Sequence, residues 1–116
     1  MADIKFTSNV NDILSALEKG KRNALTAIGS SAETHTKDNI TADDLIDTGR
    51  LRNSISYAVD GESAYIGTNV EYAPYLELGT KKIAAHHYLK RAATDHKDEY
   101  KNLTAQAIKT AINNSQ

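Results

Sequence analysis

The sequence has no cysteine and no tryptophan, and only one proline, one phenylalanine and one methionine in 116 residues. Without cysteine there is no disulfide, no thiolate metal site and no cysteine nucleophile. No stretch approaches the ~20 apolar residues of a membrane-spanning helix, and the opening MADIKFTSNVND lacks the apolar core of a signal peptide. A soluble, unprocessed chain is the expectation. Charge of one sign is also missing: 14 basic residues face 15 acidic ones, for a formal net charge of −1. A dedicated nucleic-acid domain usually carries a basic surplus, because phosphate neutralisation dominates its affinity. The balance argues against that class while leaving room for a local basic patch.

What is present is an ordinary globular mixture, with 40% hydrophobic and 25% charged residues, which points to neither disorder nor a membrane protein. The length suits a single domain, 1–116. With so few large aromatics, the core must come from Leu, Ile, Val, Ala and some of the six tyrosines. So thin a core is often completed by a neighbouring subunit, and oligomerisation is expected.

Ile4 and Phe6 alternate with polar residues and suggest a short strand. Val10, Ile13, Leu14, Leu17, Ala24, Leu25, Ile28 and Ala32 then fall near one face at the helical period. A helix running to about Asn39 is expected, with Gly20 and Gly29 weakening it by roughly 1 kcal/mol each relative to alanine. It is too long for so small a domain to cover, so part of it should protrude. Ile55, Tyr57 and Val59 alternate with Ser54, Ser56 and Ala58, which predicts a half-buried strand. Asp60-Gly61-Glu62-Ser63 is a turn, and Ala64 to Thr68 the return. The Ile4–Phe6 segment is the candidate third strand. Pro74 suits the first turn of a short helix ending at Gly79. A second long amphipathic helix is expected from about Tyr88, through Leu89, Ala92, His96, Tyr100, Leu103, Ile108 and Ile112. The fold class is α+β: two long helices packed on a small antiparallel sheet, with a central hairpin and a short helix.

Chemistry is hard to place on this frame. His86 and His87 are adjacent and point apart on a strand, and His87 and His96 share no helix face. No histidine has the partner spacing of a zinc helix, so no metal site is expected. Ser54, Ser56 and Ser63 lack a strained nucleophile turn. Asp43/Asp44 and Asp98/Glu99 sit in polar runs that suit solvation or capping. Gly79-Thr80-Lys81 fails as a phosphate loop, since Pro74 stands where glycine is required. No enzyme activity and no cofactor are expected. Arg50 and Arg52, on a strand, would share a face and present two guanidinium forks to carboxylates or phosphates; solvated loop charges are the equal alternative. Of Tyr72 and Tyr75, one belongs to the core and one to the surface.

Thr48-Gly49-Arg50-Leu51-Arg52-Asn53-Ser54-Ile55, followed at hairpin spacing by Ile66-Gly67-Thr68-Asn69-Val70-Glu71-Tyr72-Ala73-Pro74-Tyr75-Leu76-Glu77-Leu78-Gly79-Thr80, resembles the head–tail joining family of long-tailed bacteriophages. Members are also described as tail-completion or minor tail-component proteins. The resemblance covers roughly residues 47–93. It departs at His86-His87-Tyr88-Leu89, where family members often carry Arg-Pro-Phe-Leu, so the proline that would fix the last helix start is absent. It implies a structural protein of the virion, present in the host cytoplasm during assembly. That protein would form a homo-oligomeric ring, six-fold in the family's pattern, between tail-tube and head-connector proteins. No membrane and no small-molecule substrate are implied. The expected contact residues are Arg50, Arg52, Tyr72, Tyr75, Glu77, Lys81 and Lys82, with Gly49, Gly67 and Gly79 shaping the backbone. The alternative is a small cytoplasmic module that binds nucleic acid through Arg50, Arg52, Lys81 and Lys82.

Overall fold

One helix, α1 (Phe6–Asp43), organises everything else. The computed structural model describes residues 6–45 and 47–114. At 1.5 Å per residue α1 is ~57 Å long, and the molecule measures 75 × 23 × 22 Å. Then come α2 (Thr48–Ser54), strands β1 (Ser56–Val59) and β2 (Ala64–Gly67), α3 (Ala73–Leu78), α4 (Tyr88–Thr94) and α5 (Lys97–Asn114). The α+β class holds, and several expected boundaries move.

The buried stripe of α1 is built mainly from small residues four apart, Ala16, Gly20 and Ala24 and then Ala32, Thr36 and Ile40, with half-buried Ile28 and buried Gly29 between the two runs. A step of four residues advances roughly 40° around a helix of 3.6 residues per turn. The stripe therefore winds around α1 and serves different neighbours at its two ends. Toward the N-terminus it meets α5, which lies antiparallel: Glu99 is beside Ser31 and His35, while Ile108 and Ala111 are beside Gly20. A Cβ on Gly20 would stand 2.9 Å from Ile108 Cα, so the two backbones touch there.

This packing corrects the N-terminal part of the expected apolar face, whereas Ala24 and Ala32 are buried as expected. Val10, Ile13, Leu14 and Leu17 are exposed, Leu14 by 57%. Close approach through alanine and glycine brings α5 onto the small-residue stripe and leaves the large side chains on an uncovered flank.

The hairpin lies along the middle of α1. Tyr57 packs against Gly29, and Lys21 Nζ holds Glu62 Oε1 of the turn at 2.6 Å. Asp60 Oδ1 accepts the backbone N–H groups of Glu62 and Ser63, both at 2.8 Å, and these two bonds hold its carboxyl below the usual range. The antiparallel register pairs Tyr57 with Ile66 and Ala58 with Tyr65. Among the described residues the sheet has two strands: Phe6 opens α1 rather than ending a strand, and Ile4 lies outside the described residues. An isolated hairpin is marginal in water, and here α1 supports it.

The main core gathers at the other end of α1, where Ile40, Leu45, Leu51, Ile55, Val70, Ala73, Leu76 and Tyr88 pack together. Tyr88 is fully buried, and its hydroxyl donates to the Ala73 carbonyl at 2.9 Å. Burial pushes its phenol up to about 12, because the charged form would lose hydration there. The expected single C-terminal helix is broken after Thr94 into α4 and α5, with Asp95 and His96 between them. The break lets α4 close the core while α5 turns down the N-terminal half of α1.

Candidate interaction surface

The segment from Asp47 to Lys82 folds over the core and leaves its outer side to solvent. Arg50 and Arg52 sit on α2 rather than on a strand, because helix begins at Thr48 and extends to Ser54. Residues two apart on a helix point away from each other, so the expected shared face does not exist. Arg50 turns toward Glu71, with Nη2 at 2.9 and 3.2 Å from the carboxylate oxygens, and its guanidinium lies 5.5 Å from the centre of the Tyr72 ring. The residue's own backbone N–H, and after it the hydrogen bond and charge of Arg50, hold the Glu71 carboxyl low, and the Glu71 hydrogen bond raises the guanidinium in return. Arg52 is exposed.

The two tyrosines divide. Tyr72 is half-buried, donates its hydroxyl to the Asp47 carbonyl at 3.1 Å, and has its phenol raised mainly by burial. Tyr75 is exposed. With Leu78, exposed by 71%, and Ile83, it adds large apolar side chains to a surface that also carries the exposed Lys81 and Lys82. A groove of about 420 Å³ runs between this surface and the end of the hairpin, lined by Val70, Pro74, Leu78 and Leu89 among others.

Glu77 is not an outward contact. Its carboxylate accepts the Leu89 N–H at 2.7 Å through Oε1 and the Lys90 N–H at 3.2 Å through Oε2. These are orphan donors of the first turn of α4, where an anion is favoured. Glu77 thereby sets the helix start that the missing proline left open. His87 precedes α4 in the left-handed conformation, φ 51°, and the N–H groups of His86 and His87 bond back to the carbonyls of Leu76 and Glu77.

Of the three glycines expected to shape the backbone, Gly79 does so: its φ is 80°, and a Cβ would stand 2.8 Å from Ala85 N. Gly49 and Gly67 have open space where a Cβ would be and no positive φ, so neither position requires glycine.

A profile described as "Bacteriophage HK97-gp10, putative tail-component" matches residues 4–79, roughly two thirds of the chain. The chain belongs to the HK97-gp10-like family. No curated protein and no solved structure matches it. The matched span takes in α1, α2, the hairpin and α3 and ends at Gly79, so it includes Arg50, Glu71, Tyr72, Tyr75 and Leu78 of this surface, while Lys81, Lys82, Ile83 and Leu89 lie beyond it. The family is one of structural phage tail components, which implies a place in the virion and contacts with other virion proteins. Among the described residues no helix is long and apolar enough to cross a membrane.

Sequence spacing gave no signal for one further group. His35 of α1, His96 at the α4–α5 break and Glu99 of α5 come together, with His35 Nε2 and Glu99 Oε2 2.6 Å apart. The imidazoles of His35 and His96 stack at 3.4 Å with planes 4° apart. Ser31 donates to the other Glu99 oxygen at 2.9 Å. The His35 and Ser31 hydrogen bonds hold the Glu99 carboxyl below its usual range. Only folding could join residues 64 positions apart.

Proposed function

We propose that the chain is a tail-completion protein, a non-enzymatic subunit of a closed ring that joins the tail tube to the head connector. The carrying observation is a pair of unlike apolar surfaces at separate places on one elongated subunit. One is the uncovered flank of α1, with Val10, Ile13, Leu14 and Leu17. The other is the Tyr75, Leu78 and Ile83 surface around α3. Because α3 packs at the Ile40 end of α1, the two lie roughly 40 Å apart at 1.5 Å per residue. They cannot cover one another within a subunit. A head-to-tail interface uses two different patches per subunit and closes into a ring when its rotation allows. Tail-component family membership supports the same reading. The nucleic-acid alternative loses its basis in paired cations, since Arg50 is engaged by Glu71 and Arg52 points elsewhere on α2.

The test is a phage carrying Leu14→Asp or Leu78→Asp. Both side chains are already in water, so the purified subunit should keep its circular dichroism spectrum and unfolding midpoint. Lysates should accumulate filled heads and separate tails. Normal infectious titres from both variants would sink the proposal.

A further inference from the structure

We propose that His35, His96 and Glu99 form a binding site for a divalent transition-metal ion of the zinc class, which fastens α5 to α1. This stands apart from the tail-completion reading and does not depend on it. Imidazole and carboxylate donors together suit zinc and its neighbours. Zinc–nitrogen and zinc–oxygen distances of ~2.0–2.2 Å place tetrahedral ligand atoms about 3.3 Å apart. Here His35 Nε2 and His96 Nδ1 lie 2.6 and 3.8 Å from Glu99 Oε2, and one ligand atom from each residue falls within 4.8 Å of the others. Ligation requires the imidazole stack to open by tens of degrees, because a ring nitrogen ligates in its own plane and the two ring planes lie nearly parallel with centroids 3.4 Å apart. Torsion about χ2 of histidine is broad and permits that opening.

The surroundings suit an ion. Ser31 holds Glu99 Oε1, leaving Oε2 toward the imidazoles; such outer hydrogen bonds orient metal ligands. His35 and His96 are half-buried while Glu99 is exposed, so one side remains open for water as a further ligand. The molecule's other histidines lack this arrangement. Asp43, beside His86, is engaged by Arg91 at 2.6 Å, a cation that repels a metal. Glu77, beside His87, is engaged by two backbone N–H groups. In a chain without cysteine, an ion at this point would act as a cross-link between α1 and the break that redirects α5.

The experiment titrates the purified full chain with Zn²⁺ by calorimetry and follows thermal unfolding with and without it. Co²⁺ serves as the optical probe, since its visible spectrum reports the ligand set. One equivalent should bind per chain and raise the unfolding midpoint. His35→Ala, His96→Ala and Glu99→Gln should each abolish or greatly weaken binding while keeping the helical circular dichroism spectrum. The double variant His86→Ala/His87→Ala should bind as the natural chain does. Absence of saturable Zn²⁺ and Co²⁺ binding overturns the proposal. So does binding that survives Glu99→Gln and His96→Ala unchanged, or that disappears in His86→Ala/His87→Ala.

Discussion

Replacing Gly20 by alanine sets two physical effects against each other. In a helix interior, glycine to alanine is favourable by about 1 kcal/mol, because the backbone loses less entropy on folding. From propensity alone the variant should be more stable. In the fold, the new methyl carbon would stand 2.9 Å from Ile108 Cα, 3.3 Å from the Ala107 carbonyl oxygen and 3.3 Å from Ala111 Cβ. Carbon–carbon contacts are optimal at ~3.5–4.0 Å, so α5 must retreat by roughly 0.6–1.1 Å. Its backbone cannot rotate out of the way as a side chain could. A gap of that size forfeits a quarter to a half of each remaining contact along the α1–α5 seam. Overpacking of this kind costs about 1–3 kcal/mol. Packing wins: Gly20→Ala should lose about 0–2 kcal/mol net.

Gly29 is the internal control. Its obstacle is the ring of Tyr57, with Cδ2 at 2.6 Å from the added carbon. That side chain is partly exposed and able to swing outward. Gly29→Ala should therefore be less destabilising than Gly20→Ala, or even stabilising. Urea unfolding at a fixed pH measures both. A Gly20→Ala variant about 1 kcal/mol more stable than the natural chain would show that α5 does not rest on α1 at this point.

Stability should fall in alkali through Tyr88. Its folded value of about 12 lies above the ordinary phenol value of 10, so the contribution is complete below pH 10 and lost as pH rises toward 12. Tyr88→Phe should lose about 1 kcal/mol near neutrality for the missing hydrogen bond to Ala73, but show a smaller alkaline decline than the natural chain; equal declines from pH 9 to 11 would refute the assignment. Glu77→Gln, which keeps an acceptor but no charge, should lose about 1 kcal/mol, and Glu77→Ala about 1–3 kcal/mol. Amide exchange at Leu89 and Lys90 checks this directly, and unchanged protection in Glu77→Ala would show that the carboxylate does not cap α4.

The elements with strong local signals were legible. Alternation at Ile55, Tyr57 and Val59 marked the hairpin strand, and Asp60 to Ser63 its turn. Pro74 and Gly79 bracketed α3, because each restricts the backbone in its own way. Arg50 and Arg52 misled, since a short segment beside a strand carries too little periodicity to separate helix from strand. The sequence predicts an unbroken last helix for a related reason: its apolar spacing runs through Asp95 and His96, while the break answers the separate positions of the core and of α5. Glu77 read as a surface charge because its partners, the N–H groups of Leu89 and Lys90, become neighbours only when the loop folds back.

By itself the sequence determined the α+β class, the long first helix, the hairpin, the short helix and the family, all of which rest on local pattern and motif. Tertiary structure decided which face of α1 is buried. Hydrophobic periodicity named Ala24 and Ala32, which are buried, together with Val10, Ile13, Leu14 and Leu17, which are exposed; toward the N-terminus the buried positions are instead Ala16 and Gly20, where the backbones of α1 and α5 approach closely. Periodicity records which residues are apolar; only the partner helix decides which of them it covers. The same limit hid the meeting of His35, His96 and Glu99, since their proximity is a property of two helices packed antiparallel and of no spacing along the chain.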